Sequence, residues 1–271
     1  MSDSDAGGEY RYARHLSIDV VGGAGQERIQ DAEILVVGAG GLGSPVIAYL
    51  AAAGVGTLHL VDPDTVETSN LQRQVVHTEA DVGRPKVESA REFVDSLNAE
   101  VDVETHETAF EPANAEGLVA AVDLVVDCTD NFRARYVIND VCTLQGVPFV
   151  HGAVYRLEGQ ASTFGLEDDG PCYRCLFPQA PPAEATPDCA VNGVLSPLPG
   201  TIGTIEATEA LKAVADFGES LSGRLLVYDG EDMTTDEVPI RKNPDCPVCG
   251  DEAGIESVSE IEYEHPFAIE E

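Results

Sequence analysis

The sequence has very little positive charge, and the shortage of lysine is its most unusual feature. Three lysines and twelve arginines face 49 acidic residues, for a formal net charge of −34. A field of that sign repels nucleic acid, so we expect no direct nucleic-acid partner. At molar salt the Debye length is about 3 Å and most of the self-repulsion disappears. Acid excess along the whole chain therefore favours a halophilic protein over an acidic protein of an ordinary cell.

The sequence also lacks an apolar run long enough to cross a bilayer. Its most apolar stretch, Ser44–Gly56, is short and contains a proline and glycines. The start, "MSDSDAGGEY", has neither the basic region nor the apolar core of a signal peptide. We expect a cytoplasmic protein with no membrane partner.

Cysteine is present in an odd number, seven, without an export signal, which argues against a disulfide framework. Four of the seven form two C-x₂-C pairs, Cys172 with Cys175 and Cys246 with Cys249. Two such pairs suit a tetrahedral Zn²⁺ site of four thiolates. The alternative, a redox motif, expects a single pair at a helix start after a strand. Zinc is favoured, and it would join an irregular segment to the end of the domain.

The other cysteines and the histidines carry weaker signals. Cys128 in a buried strand and Cys142 on a helix are predicted to be core residues. Cys189 stands alone in a Pro/Gly-rich loop, and is either an ordinary loop thiol or a nucleophile or sulfur acceptor. Four histidines show no metal-ligand spacing and are predicted to be structural or surface groups: His15, His77, His106 and His151.

Alternating strands and helices predict an α/β fold with a Rossmann-like, doubly wound sheet. Residues 168–199 are rich in Pro, Gly and Cys and are predicted to form an irregular crossover loop. A helix and two further strands follow. We expect a flexible acidic N-terminus at 1–9, one domain with its zinc knot at 10–250, and a loosely held acidic tail at 251–271.

The clearest motif is Gly38-x-Gly40-x-x-Gly43, between a strand and a helix. Such glycines permit a tight turn and bring phosphate close to the N–H groups of a helix N-terminus. Asp62 ends the next strand, where an acid can accept ribose hydroxyls. The motif predicts a nucleotide site and, by itself, suggests NAD.

Three charged residues further along favour ATP. Arg73 and Lys86 lie in the connection after the second strand, and both side chains bind phosphate. Asp130 follows the strand "LVVDCTD", where open α/β sheets place ligand groups. A carboxylate there suits Mg²⁺ on phosphates. Alternatively, Asp130 is only the N-cap of the following helix.

These pieces, in this order, resemble the MoeB/ThiF family of adenylating enzymes, and its haloarchaeal members in particular. The matching words include "RYARHL", "GAGGLGSPVIAYLAAAGVGTLHLVDPDTVETSNLQRQ", "DCTDNFRARYVIND", "PCYRC" and "CPVC". The resemblance implies the ThiF/MoeB adenylation fold, with ATP held by Gly41, Asp62, Asn70, Arg73 and Lys86 and Mg²⁺ held by Asp130. It further implies that Arg14 reaches the partner's site in a homodimer, and that Cys189 lies on the crossover loop beside the incoming substrate.

The activity that the resemblance implies is adenylation of a C-terminal glycine carboxylate. Substrates would be small ubiquitin-like (β-grasp) modifiers or sulfur carriers ending in Gly-Gly, and the product would serve protein conjugation, molybdopterin synthesis or tRNA thiolation. Nothing in the sequence resembles the rhodanese domain of some eukaryotic relatives. A nicotinamide-dependent dehydrogenase and a non-enzymatic nucleotide-binding scaffold stay open as alternatives.

Overall fold

The computed structural model of the chain describes residues 11–167, 169–179 and 193–263. The strands are β1 Glu33–Val37, β2 Thr57–Val61, β3 Asp102–His106, β4 Leu124–Asp127, β5 Phe149–Tyr155, β6 Glu158–Phe164, β7 Arg224–Asp229 and β8 Thr234–Pro239. The helices are α1 Ala13–Leu16, α2 Gly22–Asp31, α3 Gly43–Ala53, α4 Lys86–Leu97, α5 Pro112–Val119, α6 Phe132–Gln145, α7 Tyr173–Leu176 and α8 Pro197–Ala215.

The strands form one eight-stranded sheet in the order β3-β2-β1-β4-β5-β6-β7-β8. The pairs from β3 to β5 are parallel, and those from β5 to β8 are antiparallel. The chain leaves β1 toward β2 on one side and later returns to β4 on the other. A parallel sheet has its ligand crevice at such a reversal, beyond the carboxyl ends of the strands.

Both faces of the sheet are covered, because successive side chains of a strand point to opposite sides. In β1, Ile34 and Val36 enter a core shared with α3, α4 and α8. Leu35 and Val37 enter a second core shared with α5 and α6. All four are buried, which explains why β1 is a continuous apolar run. The predicted doubly wound α/β fold is confirmed.

Two helices and the C-terminal region differ from the prediction. Helices α2 and α5 were not expected, since both are short and contain glycine. The tail was predicted to be loosely held from residue 251, and this is wrong for its described part. Val258 is fully buried against α5 and α6, and Ser257 Oγ donates to Glu116 at 2.8 Å. The apolar residues of this segment outweigh its acidity.

None of the described helices has the length and apolar composition that crossing a bilayer requires.

Candidate active site

A cavity of about 340 Å³ opens at the carboxyl ends of β1, β2 and β4. Its walls come from the glycine turn after β1, the residues that follow β2 and β4, the first turn of α6 and the start of α8. The volume lies in the range of small-molecule sites. The cavity therefore occupies the position that the strand order predicts for a ligand.

The glycine turn is held in place by close backbone approaches. Gly38 has φ +101°, and a Cβ there would lie 2.8 Å from the carbonyl oxygen of Cys128. A Cβ on Gly43 would lie only 1.9 Å from the carbonyl oxygen of Gly38. Gly40 and Gly41, which lie between Gly38 and Gly43 in the chain, line the cavity. The sequence thus needs glycine where strand and helix meet and exposes backbone where a phosphate would bind.

Asp62 is fixed on the cavity wall by the backbone of two segments. Its carboxylate accepts hydrogen bonds from Ala39 N at 2.8 Å and from Asp64 N at 2.9 Å. Burial raises the pKa of Asp62, while the charge of Lys86, whose Nζ lies 3.9 Å away, opposes that rise. The ring of buried His77 donates a hydrogen bond from Nε2 to the Ala39 carbonyl oxygen at 2.9 Å. This fits the structural role predicted for His77.

Four cationic side chains meet at this cavity, a notable number for a chain with so few. Four of the 15 basic residues line it, against three of the 49 acidic ones. The basic residues are Arg73, Lys86, Arg133 and Arg135, and the acidic ones are Asp62, Asp64 and Asp130. Lys86 is buried and donates to Asp64 Oδ2 at 2.8 Å. In a chain of net charge −34, the described lining of this cavity therefore has one more cation than it has acids.

Asp130 lies on the cavity wall and does not cap α6. The N-cap is Asn131, whose side-chain oxygen accepts from Ala134 N at 2.9 Å. The alternative prediction, that Asp130 is only the helix cap, is therefore wrong. Asp130 is exposed at the mouth of the site, where its carboxylate is free of the capping bond.

Some predicted residues lie outside the cavity lining. Arg14 is exposed on α1, and Asn70 uses its side-chain oxygen to accept from Glu67 N at 3.1 Å. Gly43 supports the turn from within α3. Cys189 lies outside the described residues. Seven of the predicted residues line the cavity together: Gly38, Gly40, Gly41, Asp62, Arg73, Lys86 and Asp130.

The sequence analysis missed several residues of the wall. Gln74 and Arg135 both line the cavity and are buried. Arg135 donates to the Thr129 carbonyl oxygen at 3.0 Å and spans the turn that carries Asp130. Cys128, predicted as core, is buried but also lines the cavity. Burial raises its pKa well above the usual value, so the thiol stays neutral and is a poor nucleophile.

The four cysteines of the two C-x₂-C pairs converge although the pairs lie far apart in the chain. Cys172 Sγ lies 3.6 Å from Cys246 Sγ, and Cys249 Sγ lies 3.4 Å from both Cys172 and Cys175. Tetrahedral Zn–S bonds of about 2.3 Å place sulfurs roughly 3.8 Å apart. The described cysteines are all free of disulfides. The cluster is therefore compatible with the predicted zinc knot, and a redox pair of adjacent cysteines does not describe it.

The cluster of four cysteines is connected to the cavity through Tyr173, which is fully buried between the paired cysteines and α6. Its backbone N–H donates to Asn139 Oδ1 at 2.7 Å, and its ring lies 4.9 Å from that of His151. His151 Nδ1 in turn donates to Asp127 at 2.7 Å. Asp127 accepts from the Thr129 hydroxyl at 2.6 Å, and Thr129 lines the cavity. A chain of buried contacts thus links the cluster to the cavity.

Fold and site together define a class: a Rossmann-like α/β protein whose glycine turn and four cationic side chains line one cavity at the carboxyl ends of the strands. The family model described as the ThiF family matches residues 12–248. The chain belongs to the ThiF family.

Two relatives are similar over nearly their whole length. The SAMP-activating enzyme E1 of Haloferax volcanii is 57% identical over 259 residues, 96% of this chain and 95% of that protein. The sulfur carrier protein adenylyltransferase of Thermus thermophilus is 47% identical over 246 residues, 89% of this chain and 91% of that one. A crystal structure of E. coli MccB with MccA-N7isoASN aligns with TM-score 0.79 at 21% identity, over 90% of this chain and 75% of that one. The last likeness concerns the fold alone.

Proposed function

We propose that this chain is an adenylyltransferase that activates the C-terminal glycine carboxylate of small ubiquitin-like proteins with ATP. Its relatives bear the names SAMP-activating enzyme E1 and sulfur carrier protein adenylyltransferase. The single observation that carries the proposal is the gathering of Arg73, Lys86, Arg133 and Arg135 around the glycine turn. In a chain so rich in acid, cations gathered at one cavity support the binding of a polyanion there.

The chemistry follows from the poor reactivity of a carboxylate. One carboxylate oxygen of the partner attacks the α-phosphorus of ATP, the bond from that phosphorus to the bridging oxygen breaks, and pyrophosphate leaves. The product is an acyl-adenylate, a mixed anhydride that accepts a nucleophile. Charge grows on the phosphate oxygens as the bonds change, and preorganised cations stabilise it most effectively in a site that excludes water.

Each residue of the wall then has a role. The N–H groups beyond Gly40 and Gly41 face the phosphates, and Asp62 accepts from the ribose hydroxyls. Arg73 and Lys86 bind the phosphate groups. Asp130 supplies the carboxylate for Mg²⁺, which would neutralise charge on the leaving pyrophosphate. Its position on the wall, free of the helix cap, supports this role.

The remaining parts of the proposal concern residues beyond the cavity lining. Arg14 reaches the cavity of the second protomer in a homodimer, and its exposure on α1 is in keeping with that role. Asn70 contributes to ATP binding from its turn. The Cys189 thiol attacks the acyl carbon of the adenylate, which forms a thioester and releases AMP, or it accepts the outer sulfur of a donor protein's persulfide, which leaves the donor as a thiol. Val194, on the same chain segment, lines the cavity. The thiolate cluster holds one Zn²⁺ as a structural clip.

The product serves sulfur transfer in molybdopterin synthesis and tRNA thiolation, or protein conjugation, since all three begin with the same acyl-adenylate. A nicotinamide-dependent dehydrogenase fits the cavity poorly. Among the residues described, no histidine lines it, and its lysine is paired with Asp64. Proton transfer to a hydride acceptor has no evident donor there.

The test is the exchange of labelled pyrophosphate into ATP, run in molar KCl with a β-grasp partner that ends in Gly-Gly. We expect exchange with the intact partner and none with a partner that lacks the terminal Gly-Gly. Cys189→Ser should retain exchange and lose transfer to the downstream acceptor. A chain that binds ATP but never returns label would be a scaffold, and the proposed function would be wrong.

A further inference from the structure

A second group of potential metal ligands lies at the sheet edge beside the nucleotide cavity. It consists of His59 on β2 with Glu104 and His106 on β3, and we call it the edge cluster. The strands pair in parallel with His59 opposite Glu104 and Val61 opposite His106. Because side chains alternate along a strand, all three point to the same face. One potential ligand atom from each residue lies within 4.8 Å of the others.

His59 is the centre of the edge cluster and has a carboxylate at each ring nitrogen. Its Nε2 lies 3.3 Å from Glu33 and its Nδ1 lies 3.5 Å from Glu104. The side chain is buried, with 8% of its surface exposed. A neutral imidazole has a single N–H and can donate to only one of these carboxylates. In that form the second nitrogen presents a lone pair toward a carboxylate, and either a second proton or a metal ion between the two atoms removes the repulsion.

The arrangement around His59 is typical of a metal ligand. Histidines that bind metals usually donate the other ring N–H to a carboxylate, which orients the ring and raises its basicity. Glu33 on β1 has the correct position for that role. Metal–nitrogen bonds of about 2.0–2.1 Å in a tetrahedron place ligand atoms roughly 3.3 Å apart. The observed 3.5 Å between His59 Nδ1 and Glu104 differs little from that spacing.

His106 adds an independent observation. Its Nε2 is buried and has no hydrogen-bond partner in the described part of the chain. Its ring lies nearly parallel to that of His59, with 6.1 Å between centroids and 10° between planes. A buried ring nitrogen without a partner is costly to the folded protein. Coordination of a metal would satisfy it.

We propose that His59, Glu104 and His106 bind one divalent first-row transition-metal ion, with Glu33 orienting His59. Two imidazoles and a carboxylate suit Zn²⁺, Co²⁺ or Ni²⁺. The edge cluster shares no residue with the four cysteines, so this is a second site. It was invisible in the sequence because His59 and His106 lie far apart in the chain and meet only through the β2–β3 pairing.

The position of the edge cluster gives it a consequence for the nucleotide cavity. Asp62 N donates to the His106 carbonyl oxygen at 3.3 Å, and Ala109 and Phe110, which follow β3, line the cavity. A metal held between β2 and β3 would restrain the strand end that carries this wall. The site is therefore a brace for the sheet edge, with no part in the reaction itself.

The experiment uses the full chain whose cysteine cluster has already taken up one equivalent of zinc. Titration with further Zn²⁺ in molar KCl, followed by calorimetry, should show one additional site per chain. Hydrogen exchange of the amides at 102–106 should slow as that site fills. His106→Gln and Glu104→Gln should each weaken the second site at least about tenfold, the usual effect of disturbing a metal's ligand set. Glu104 is 64% exposed, so its variant should fold.

His15→Gln is the matched control, since His15 is hydrogen-bonded to Gln26 and lies outside the edge cluster. It should leave the second site intact. Absence of a second site, or a second site unaffected by both cluster variants, would overturn the proposal and assign the binding to the acidic surface. Nitrogen NMR of His59 that shows both ring nitrogens protonated with and without zinc would also overturn it, because a proton would then bridge the carboxylates.

Discussion

Replacing Gly43 by alanine should lower pyrophosphate exchange strongly while it lowers the stability of the fold only moderately. A Cβ at this position would lie 1.9 Å from the Gly38 carbonyl oxygen, whereas real Cβ contacts below 3.0 Å are essentially unknown. Strand end and helix start must therefore move apart by at least about 1.1 Å, the difference between these distances. Backbone forms this contact on one side, so no side chain can rotate to relieve it.

The expected magnitudes follow from that displacement. Overpacking of a core usually costs about 1–3 kcal/mol, and a domain has about 5–15 kcal/mol to lose, so the variant should still fold. Misplacing reacting groups by about 1 Å can cost roughly 10²-fold in rate. We expect pyrophosphate exchange to fall by about that factor, while the melting temperature falls by only a few degrees per kcal/mol.

Gly117→Ala is the control. Gly117 also lies in a helix, α5, but nothing lies within 4 Å of its Cβ position. The added methyl should stabilise the protein by about 0.5–1 kcal/mol and leave exchange unchanged. Both variants should be measured by exchange assay and thermal melting in the same molar KCl. A Gly43→Ala protein that melts and exchanges label like the unaltered chain would refute the close-approach reasoning.

Further predictions separate other roles. Asp130→Asn should lower exchange by about 10²–10³-fold with little change in melting temperature, since one electrostatic contact to the transition state is lost. Asn131→Ala should instead cost about 1 kcal/mol of stability, the value of an N-cap, in denaturant melts. Metal analysis should give about one zinc bound by the cysteines and a clear loss of it in Cys246→Ser, with a lower melting temperature; full retention would contradict the four-thiolate site. Burial lowers the pKa of His77 in the folded state, so its contribution to stability is present above its unfolded pKa of about 6.5 and is lost as the pH falls through the folded value. The stability difference between the unaltered chain and His77→Gln should therefore shrink as the pH falls below about 6.5; a difference independent of pH would argue against a neutral, buried His77.

The parts of the site that could be predicted from the sequence are those that local chemistry dictates. The glycine turn, Asp62 and the C-x₂-C pairs each use residue types that serve few purposes at that spacing. The four glycines of the turn, two acids and two cations that these signals single out lie at one cavity or beside it. The β1 apolar run likewise predicts a strand buried on both faces.

The parts that could not be predicted depend on contacts between distant segments. Asp130 and Asn131 are both good caps, and only the helix geometry decides that Asn131 is used. Arg135 reaches the cavity because α6 points one face at the β4 end. The acidic composition around Val258 predicts a loosely held tail, but this apolar side chain is buried in the core beside α5. The meeting of His59 with His106 requires the strand register, which no spacing in the chain reveals.

The fully buried Tyr173 links the four cysteines to the cavity wall, because its ring packs on His151 and His151 bonds to Asp127 beside Thr129. Chelators, oxidants and alkylating agents that empty the proposed zinc site should thus slow ATP turnover without entering the cavity. In a screen for inhibitors such compounds would score as hits, yet added nucleotide would not protect against them. Counting released metal beside lost activity would distinguish these false hits from molecules that compete with the nucleotide.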